Sequence, residues 1–286
     1  MAKLDRLGWA AHRAIRTHGV RIGFRATRKN LLDALDPHLP PDAAPSRSRV
    51  VDRLYSIVSP INQPDSRVRR YQIVYSDAMQ VARTLDLNEA LQQMSADIGF
   101  CTAMLTPKYT FIHAGVVTWG GRAIVLPGTP HSGKTTLVHA LIRAGATYYS
   151  DEWAVIDANG RVHPYARPLA LRGTNGGRDS TIPVDALESA VGIRSARVGL
   201  VALARFDPSA RWQPRRLSPA DATLEAIQHV VQLRLDPTKV LQAIGRLMSG
   251  ATVVAGTRGE ADETASALLA RLDEEKLSFR RSKRVA

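Results

Sequence analysis

Apolar positions follow two rhythms along this chain, and the switches between them mark out most of its elements. Leu91, Met94, Ile98 and Cys101 recur every three or four residues, which predicts a helix over 87–105 with Met94 and Cys101 as core residues rather than ligands. Leu4, Leu7, Ala11 and Ile15 share that spacing among Lys3, Arg6, Arg13 and Arg16, predicting a basic, partly helical opening segment, with a second short helix over 29–35. Pro37, Pro40, Pro41 and Pro45 then break regular structure and read as a linker. Runs rich in β-branched and aromatic residues predict strands over 51–58 and 71–75. Residues 111–119 and 123–126 form two further apolar runs joined by Gly120-Gly121, an antiparallel hairpin whose second strand leads into a glycine-rich loop.

Beyond the loop, helical spacing covers 134–144 up to Gly145, followed by a short strand over 146–149. Strands over 153–157 and 161–165 flank Ala158-Asn159-Gly160, and 198–206 is a longer one. Ser218-Pro219 and Asp236-Pro237 each open a helix with a capping side chain and proline in the first turn. A last strand covers 251–254, a last helix 260–272, and a basic, frayed tail follows. The division expected is a basic segment with its linker (1–45), an α/β portion (46–107), an α/β core (108–275) and the tail (276–286).

Composition changes this picture little. The 286 residues are 44% hydrophobic and 23% charged, as in a soluble globular protein. No apolar run approaches the ~20 residues of a membrane helix, and the first residues lack the apolar core of a secretory signal. With one cysteine no internal disulfide can form, and a cytoplasmic protein is expected. The formal charge of +13 can attract nucleic acid or phosphorylated ligands. The basic residues are spread along the chain with few aromatics among them, so no specific nucleic-acid partner is expected.

The chemistry concentrates in one stretch. Gly128-Thr129-Pro130-His131-Ser132-Gly133-Lys134-Thr135 fits G-x-x-x-x-G-K-[ST], between a predicted strand and a predicted helix, and Thr136 completes the first helical positions. Glycines let successive N–H groups curl around phosphate oxygens, and the helix N-terminus adds partial positive charge. Lys134 is expected on the β- and γ-phosphates and the Thr135 hydroxyl on Mg²⁺, whereas His131 needs to offer only its backbone N–H. Ser150-Asp151-Glu152 closes the next strand. Its carboxylates have three uses open to them: holding Mg²⁺, accepting a proton from an attacking hydroxyl, or capping the turn. His113, on the first hairpin strand, is either a satisfied core histidine or a group at the mouth of the loop. Arg167, Arg172, Arg178 and Arg258 are candidates either for the transferring phosphoryl group or for surface ion pairs.

These residues, in this order, resemble the catalytic domain of the HPr kinase/phosphorylase family. The resemblance rests on His113-Ala114-Gly115-Val116, the Gly120-Gly121 hairpin, the loop, Gly145-Ala146, Ser150-Asp151-Glu152 and Arg172-Gly173, and covers about residues 111–173, more weakly to 233. It implies an α/β P-loop kinase core of the HPr kinase / phosphoenolpyruvate carboxykinase type, a mixed sheet with an antiparallel hairpin before the phosphate loop. It implies ATP or GTP with Mg²⁺, and transfer of the γ-phosphate to a hydroxyl: a serine of a protein or peptide, or a small molecule. Asp151 then matches the family's acid/base carboxylate, His113 the histidine that assists it, Arg172 a phosphoryl-stabilising arginine, and Thr135 with Glu152 the metal contacts. A homo-oligomer is left open. Two departures stand out: Ala170 replaces a family Glu two residues before Arg172-Gly173, and residues before 108 do not match the family's N-terminal domain. The alternatives are a nucleotide-gated regulatory ATPase or GTPase without phosphotransfer, and a nucleic-acid-associated ATPase resting on charge alone.

Overall fold

The computed structural model describes residues 2–60, 70–129, 132–171 and 180–285. The protein is a mixed α/β protein with several sheets, divided into two compact units, Met1–Lys108 and Tyr109–Ala286. Among the described residues no helix is long and apolar enough to cross a membrane.

The first unit contains α1 (Ala2–Asp5), β1 (Ala11–Thr17), β2 (Val20–Ala26), α2 (Asn30–Asp33), β3 (Ala44–Pro45), β4 (Arg53–Val58), β5 (Gln72–Ser76), β6 (Met79–Thr84) and α3 (Leu87–Leu105). Its six strands form one sheet in the order β3-β1-β2-β4-β5-β6. The helix over 87–105 forms as its spacing predicts, started by the Asp86 side chain accepting from the Glu89 N–H. Leu91, Met94 and Ile98 pack into a core with Phe24, Tyr55 and Ile57 of the sheet.

The opening segment departs from expectation. Before Ala11 helix is confined to α1, the expected helix over 29–35 forms as the shorter α2, and Ala11–Thr17 is strand, paired with β2 through a tight turn at His18 and Gly19, both at positive φ. Asp42 holds that turn, accepting from the Thr17 hydroxyl and the His18 N–H. The proline-rich stretch is not a structureless linker either, since Ala44–Pro45 adds the edge strand β3. Residues on both sides of position 45 therefore contribute to one sheet. Arginines obscured the alternation: Arg25 is buried on β2, its guanidinium bonded to Ser56 and Asp5 and lying over the Trp9 ring. A strand position bearing arginine reads as polar while its stem packs as an apolar group.

The second unit contains β7 (Thr110–Trp119), β8 (Arg122–Pro127), α4 (Lys134–Arg143), β9 (Thr147–Ser150), β10 (Trp153–Ile156), β11 (Arg161–His163), β12 (Leu169–Leu171), β13 (Ser180–Ile182), β14 (Ala196–Phe206), β15 (Arg215–Arg216), α5 (Pro219–Ile227), α6 (Pro237–Ser249), β16 (Thr252–Arg258) and α7 (Ala261–Val285). Its eight-stranded sheet runs β11-β10-β7-β8-β14-β16-β15, with β9 beside β7. β7 and β8 are antiparallel, whereas β8, β14 and β16 are mutually parallel, so Pro127, Phe206 and Arg258 lie at one end of that trio. β11 pairs with both β10 and β14, so β11, β10, β7, β8 and β14 close into a ring. Two apolar clusters fill the two sides of the sheet, one with α5 and α6, the other with α4 and α7.

Two predicted boundaries move. The last strand runs on to Arg258, and α7 continues through the basic segment to Val285, which contains no Gly or Pro to stop it.

β7 and α4 meet at Gly115, where a Cβ would stand 2.5 Å from Val138 Cγ2. Gly115→Ala should therefore destabilise the unit by about 1–3 kcal/mol through overpacking. Chemical denaturation of Gly115→Ala, Val138→Ala and the double variant checks this. The double variant should be more stable than the sum of the two single losses, whereas strict additivity would mean that the contact does not set the helix position.

Candidate functional site

The site is laid out along β7. At Val116–Thr118 the strand pairs with β8 on one side and with β9 on the other, and at Thr110–His113 it pairs with β10. The junction of β9 and β10 is the acidic pair. Ser150 pairs with Val116 and Trp153 with His113, so Asp151 and Glu152 fall level with Gly115 and Ala114. A register shift lets β9 carry one extra residue beside Val116–Val117, the kind of bulge that re-aims a side chain at a strand end. The buried Ser150 hydroxyl accepts from the Glu152 and Trp153 N–H groups and fixes the turn. On the other side Pro127 pairs with Ala114, and the Gly128 N–H donates to the His113 carbonyl. The glycine-rich loop and the acidic pair thus leave β7 at the same level, one strand spacing to either side.

Across this gap the Thr135 hydroxyl donates to Asp151 Oδ2 at 3.1 Å. The Tyr148 hydroxyl lies 3.1 Å from Asp151 Oδ1 and 2.9 Å from the Arg167 carbonyl. Burial pushes the Asp151 carboxyl above the usual carboxylate range, against the lowering effect of these two hydroxyls. Glu152 is raised as well, by burial first and by Asp151 beside it, while Arg167, 3.9 Å from its carboxylate, opposes the shift.

Lys134 begins α4 and is 8% exposed. Its ammonium donates to the Thr129 carbonyl at 2.6 Å, and burial lowers its pKa to about 8. Gly133 precedes it with φ 77°, and no side chain caps the helix there. A Cβ on Gly133 would stand 2.5 Å from Arg258 Nη2, and one on Gly128 2.7 Å from Ser132 Oγ, so a side chain at either position would push a neighbouring side chain aside. Ser132 Oγ is buried and has no partner among the described residues. Thr136 is exposed on the outer side of the first turn, and Thr129 lends the loop its carbonyl.

Among the described residues no hydrogen bond joins His113 to Asp151. Its Nδ1 lies 2.8 Å from the Glu152 carbonyl, which can only accept, so Nδ1 carries the proton and Nε2 is the basic nitrogen. Burial first, and then the charge of Lys134, lowers its pKa and keeps the ring neutral. His229, whose carbonyl accepts from the His113 N–H, is lowered by the same two causes. Arg258 is 2% exposed at the end of β16, not at a helix start. Its guanidinium donates to the Gly133 carbonyl at 2.8 Å and the Gly259 carbonyl at 2.9 Å, which makes it a brace beneath the loop. Ala170 is exposed on β12. Pro130, His131, Arg172 and Arg178 lie outside the described residues.

No protein-family model matches this chain, and no curated protein does. Among solved structures, the chain matches the Hpr(Ser) kinase/phosphatase from Coxiella burnetii at 14% identity and a TM-score of 0.32, over 61% of this chain and 96% of that one. At that identity and score the likeness carries no weight for fold or activity.

Sequence reasoning placed Lys134, Thr135, Asp151 and Glu152 in one neighbourhood and missed Tyr148 and His229. A tyrosine three positions before a carboxylate carries no motif, and His229 reaches the group only through the pairing of Ile112 with Val230. Among the described residues no group of three or more His, Cys, Asp or Glu side chains is placed to hold a metal by itself.

Tyr148→Phe removes a hydrogen bond that lowers Asp151, so the Asp151 carboxyl should titrate at still higher pH than in the parent chain. Carboxyl ¹³C NMR reads the midpoint, and an unchanged or lower value would show that the hydroxyl does not offset burial. Folding raises Asp151, so its ionisation opposes folding: stability falls as pH climbs from the ordinary carboxylate value through the raised one. Asp151→Asn should accordingly melt above the parent at pH 7, in calorimetry.

Proposed function

We propose that the second unit binds the polyphosphate of ATP or GTP at Gly128–Thr135 and transfers the γ-phosphoryl group to a hydroxyl, with Asp151 as the base. The observation that carries this reading is the 3.1 Å contact between Thr135, the first Ser/Thr after the loop lysine, and the Asp151 carboxylate. The loop supplies a helix N-terminus and a buried Ser132 hydroxyl, both without a side-chain partner among the described residues, and a buried ammonium, all complementary to phosphate.

The base needs a carboxylate that can both lose and take up a proton in place. Tyr148 provides for this. When Asp151 is ionised, the phenol proton points to Oδ1. When Asp151 is protonated, it can donate to the phenol oxygen while Tyr148 turns its own proton to the Arg167 carbonyl. Both states keep the carboxyl group and the phenol hydrogen-bonded to each other. In the transfer, the acceptor oxygen bonds to the γ-phosphorus, its proton passes to Asp151, and the bond from the γ-phosphorus to the bridging oxygen breaks, leaving the nucleoside diphosphate. Neutral His113, with its Nδ1 held by Glu152, orients the acidic turn rather than acting on Asp151 directly. Arg258 keeps the Gly133 carbonyl turned away from the phosphates.

The Thr135 hydroxyl and the carboxylates of Asp151 and Glu152 are hard oxygen donors of the kind Mg²⁺ takes, with the remaining positions filled by phosphate and water. Bound there, Mg²⁺ would neutralise charge on the β- and γ-phosphates. A soluble protein, peptide or small-molecule acceptor fits this reading, in the cytoplasm.

Incubation with γ-³²P nucleotide, Mg²⁺ and candidate acceptors tests the proposal. Asp151→Asn should lower transfer at least 100-fold with nucleotide binding retained, while Lys134→Ala should lose binding itself. The acidic limb of the rate profile should lie above the ordinary carboxylate range, and nucleotide affinity should fall as pH rises through about 8, where Lys134 loses its charge. Slow hydrolysis with no labelled acceptor would instead select the nucleotide-gated regulator, and transfer by Asp151→Asn at the parent rate would remove Asp151 as base.

A further inference from the structure

At the opposite end of β8 and β14 from the loop, three arginines stand in register on adjacent strands. Arg161 of β11 pairs with Arg197 of β14, and Arg197 pairs with Arg122 of β8. Neighbouring strands lie about 4.8 Å apart, and like charges directly opposite one another destabilise a sheet. Three consecutive arginines in one row gather positive charge at this end of the sheet.

These three residues line one cleft of about 390 Å³ together with Thr118, Tyr149 and Ser195, and no Asp or Glu is among its lining residues. The volume falls in the range of small-molecule sites. Arg161 is already oriented: its Nε donates to Ser195 Oγ at 3.0 Å and its Nη2 to the Ser195 carbonyl at 2.6 Å. The stem of Arg122 packs where Gly199 leaves room, since a Cβ there would stand 2.9 Å from Arg122 Cδ. Arg197 is exposed. Beyond Arg122 the row ends at Trp119, whose indole N–H donates to Asp273 of α7 at 2.9 Å.

We propose that this cleft is an anion site for a small phosphoryl-bearing molecule, separate from the glycine-rich loop. A carboxylate offers two coplanar oxygens, which suit one guanidinium fork. A phosphoryl group offers three terminal oxygens in different directions, which suits guanidinium groups arriving from three strands. Hydroxyls at Thr118 and Ser195 add neutral partners. A cleft of this volume fits a small anion better than a nucleic-acid strand, which would need an extended basic track.

The test uses the full chain carrying Lys134→Ala, so that phosphate binding at the loop does not contribute. Calorimetric titration with inorganic phosphate, pyrophosphate and a phosphomonoester such as phenyl phosphate should show one site, weakened about tenfold or more by Arg197→Gln. Strong binding of phosphate or pyrophosphate with none of the ester would assign the inorganic anion, and the reverse a phosphorylated metabolite; either supports the site. Arg197→Gln should melt no lower than its parent without anion, because one charge of the row is gone, and should lose the stabilisation that pyrophosphate gives the parent. No binding at millimolar anion, equal affinity in Arg197→Gln, or tighter binding of citrate or a single-stranded oligonucleotide at the same residues would overturn the proposal.

Discussion

The second unit is organised by the hydrogen bonds that β7 makes at His113–Gly115. At that level the strand has a neighbour on each side, and both neighbours end there: β8 turns into the glycine-rich loop at Gly128, and β9 turns through Asp151 and Glu152 into β10. Two chain reversals one strand spacing to either side of a common strand must face each other. The contact of Thr135 with Asp151 follows from this placement, as does the seat of Lys134 beneath the loop. Gly115 belongs to the same constraint, because its missing side chain leaves the space that Val138 of α4 takes over β7.

Burial then sets the chemistry. The site holds two carboxylates raised above their ordinary range and a lysine lowered toward neutrality, close enough together to affect one another. Each ionisation there works against folding, and the fold tolerates it because backbone carbonyls and hydroxyls take up the hydrogen bonds. Arg258 shows the same economy from the other direction. Its buried guanidinium donates to two backbone carbonyls and holds the αL turn at Gly133. His113 is likewise committed, through Nδ1, to the carbonyl of Glu152.

The two ends of the parallel trio β8, β14 and β16 differ in kind. At the carboxyl end, positive charge is buried and individually partnered, as in Lys134 and Arg258. At the amino end, Arg122, Arg197 and Arg161 stand in a row around a cleft without a lining carboxylate. The ring closed by β11 produces that row, because it brings a strand distant in sequence from β8 to the far edge of β14.

Much of the second unit was legible from the residues alone. The pairing of β7 with β8, the helix α4 and the turn that carries the acidic pair are each specified by neighbours in sequence: a Gly-Gly turn, a helical stripe, a strand end. The opening strands β1 and β2 were not legible, because arginine stems such as Arg25 pack like apolar groups while reading as polar ones. Nor could any spacing reveal that Tyr148 bridges Asp151 and Arg167, that Arg258 braces Gly133, or that three arginines share a register. Sequence determines what a few consecutive residues can do. Which strand ends adjoin, and hence which charges must share one buried volume, depends on pairings between residues far apart in the chain, and only the folded sheet decides them.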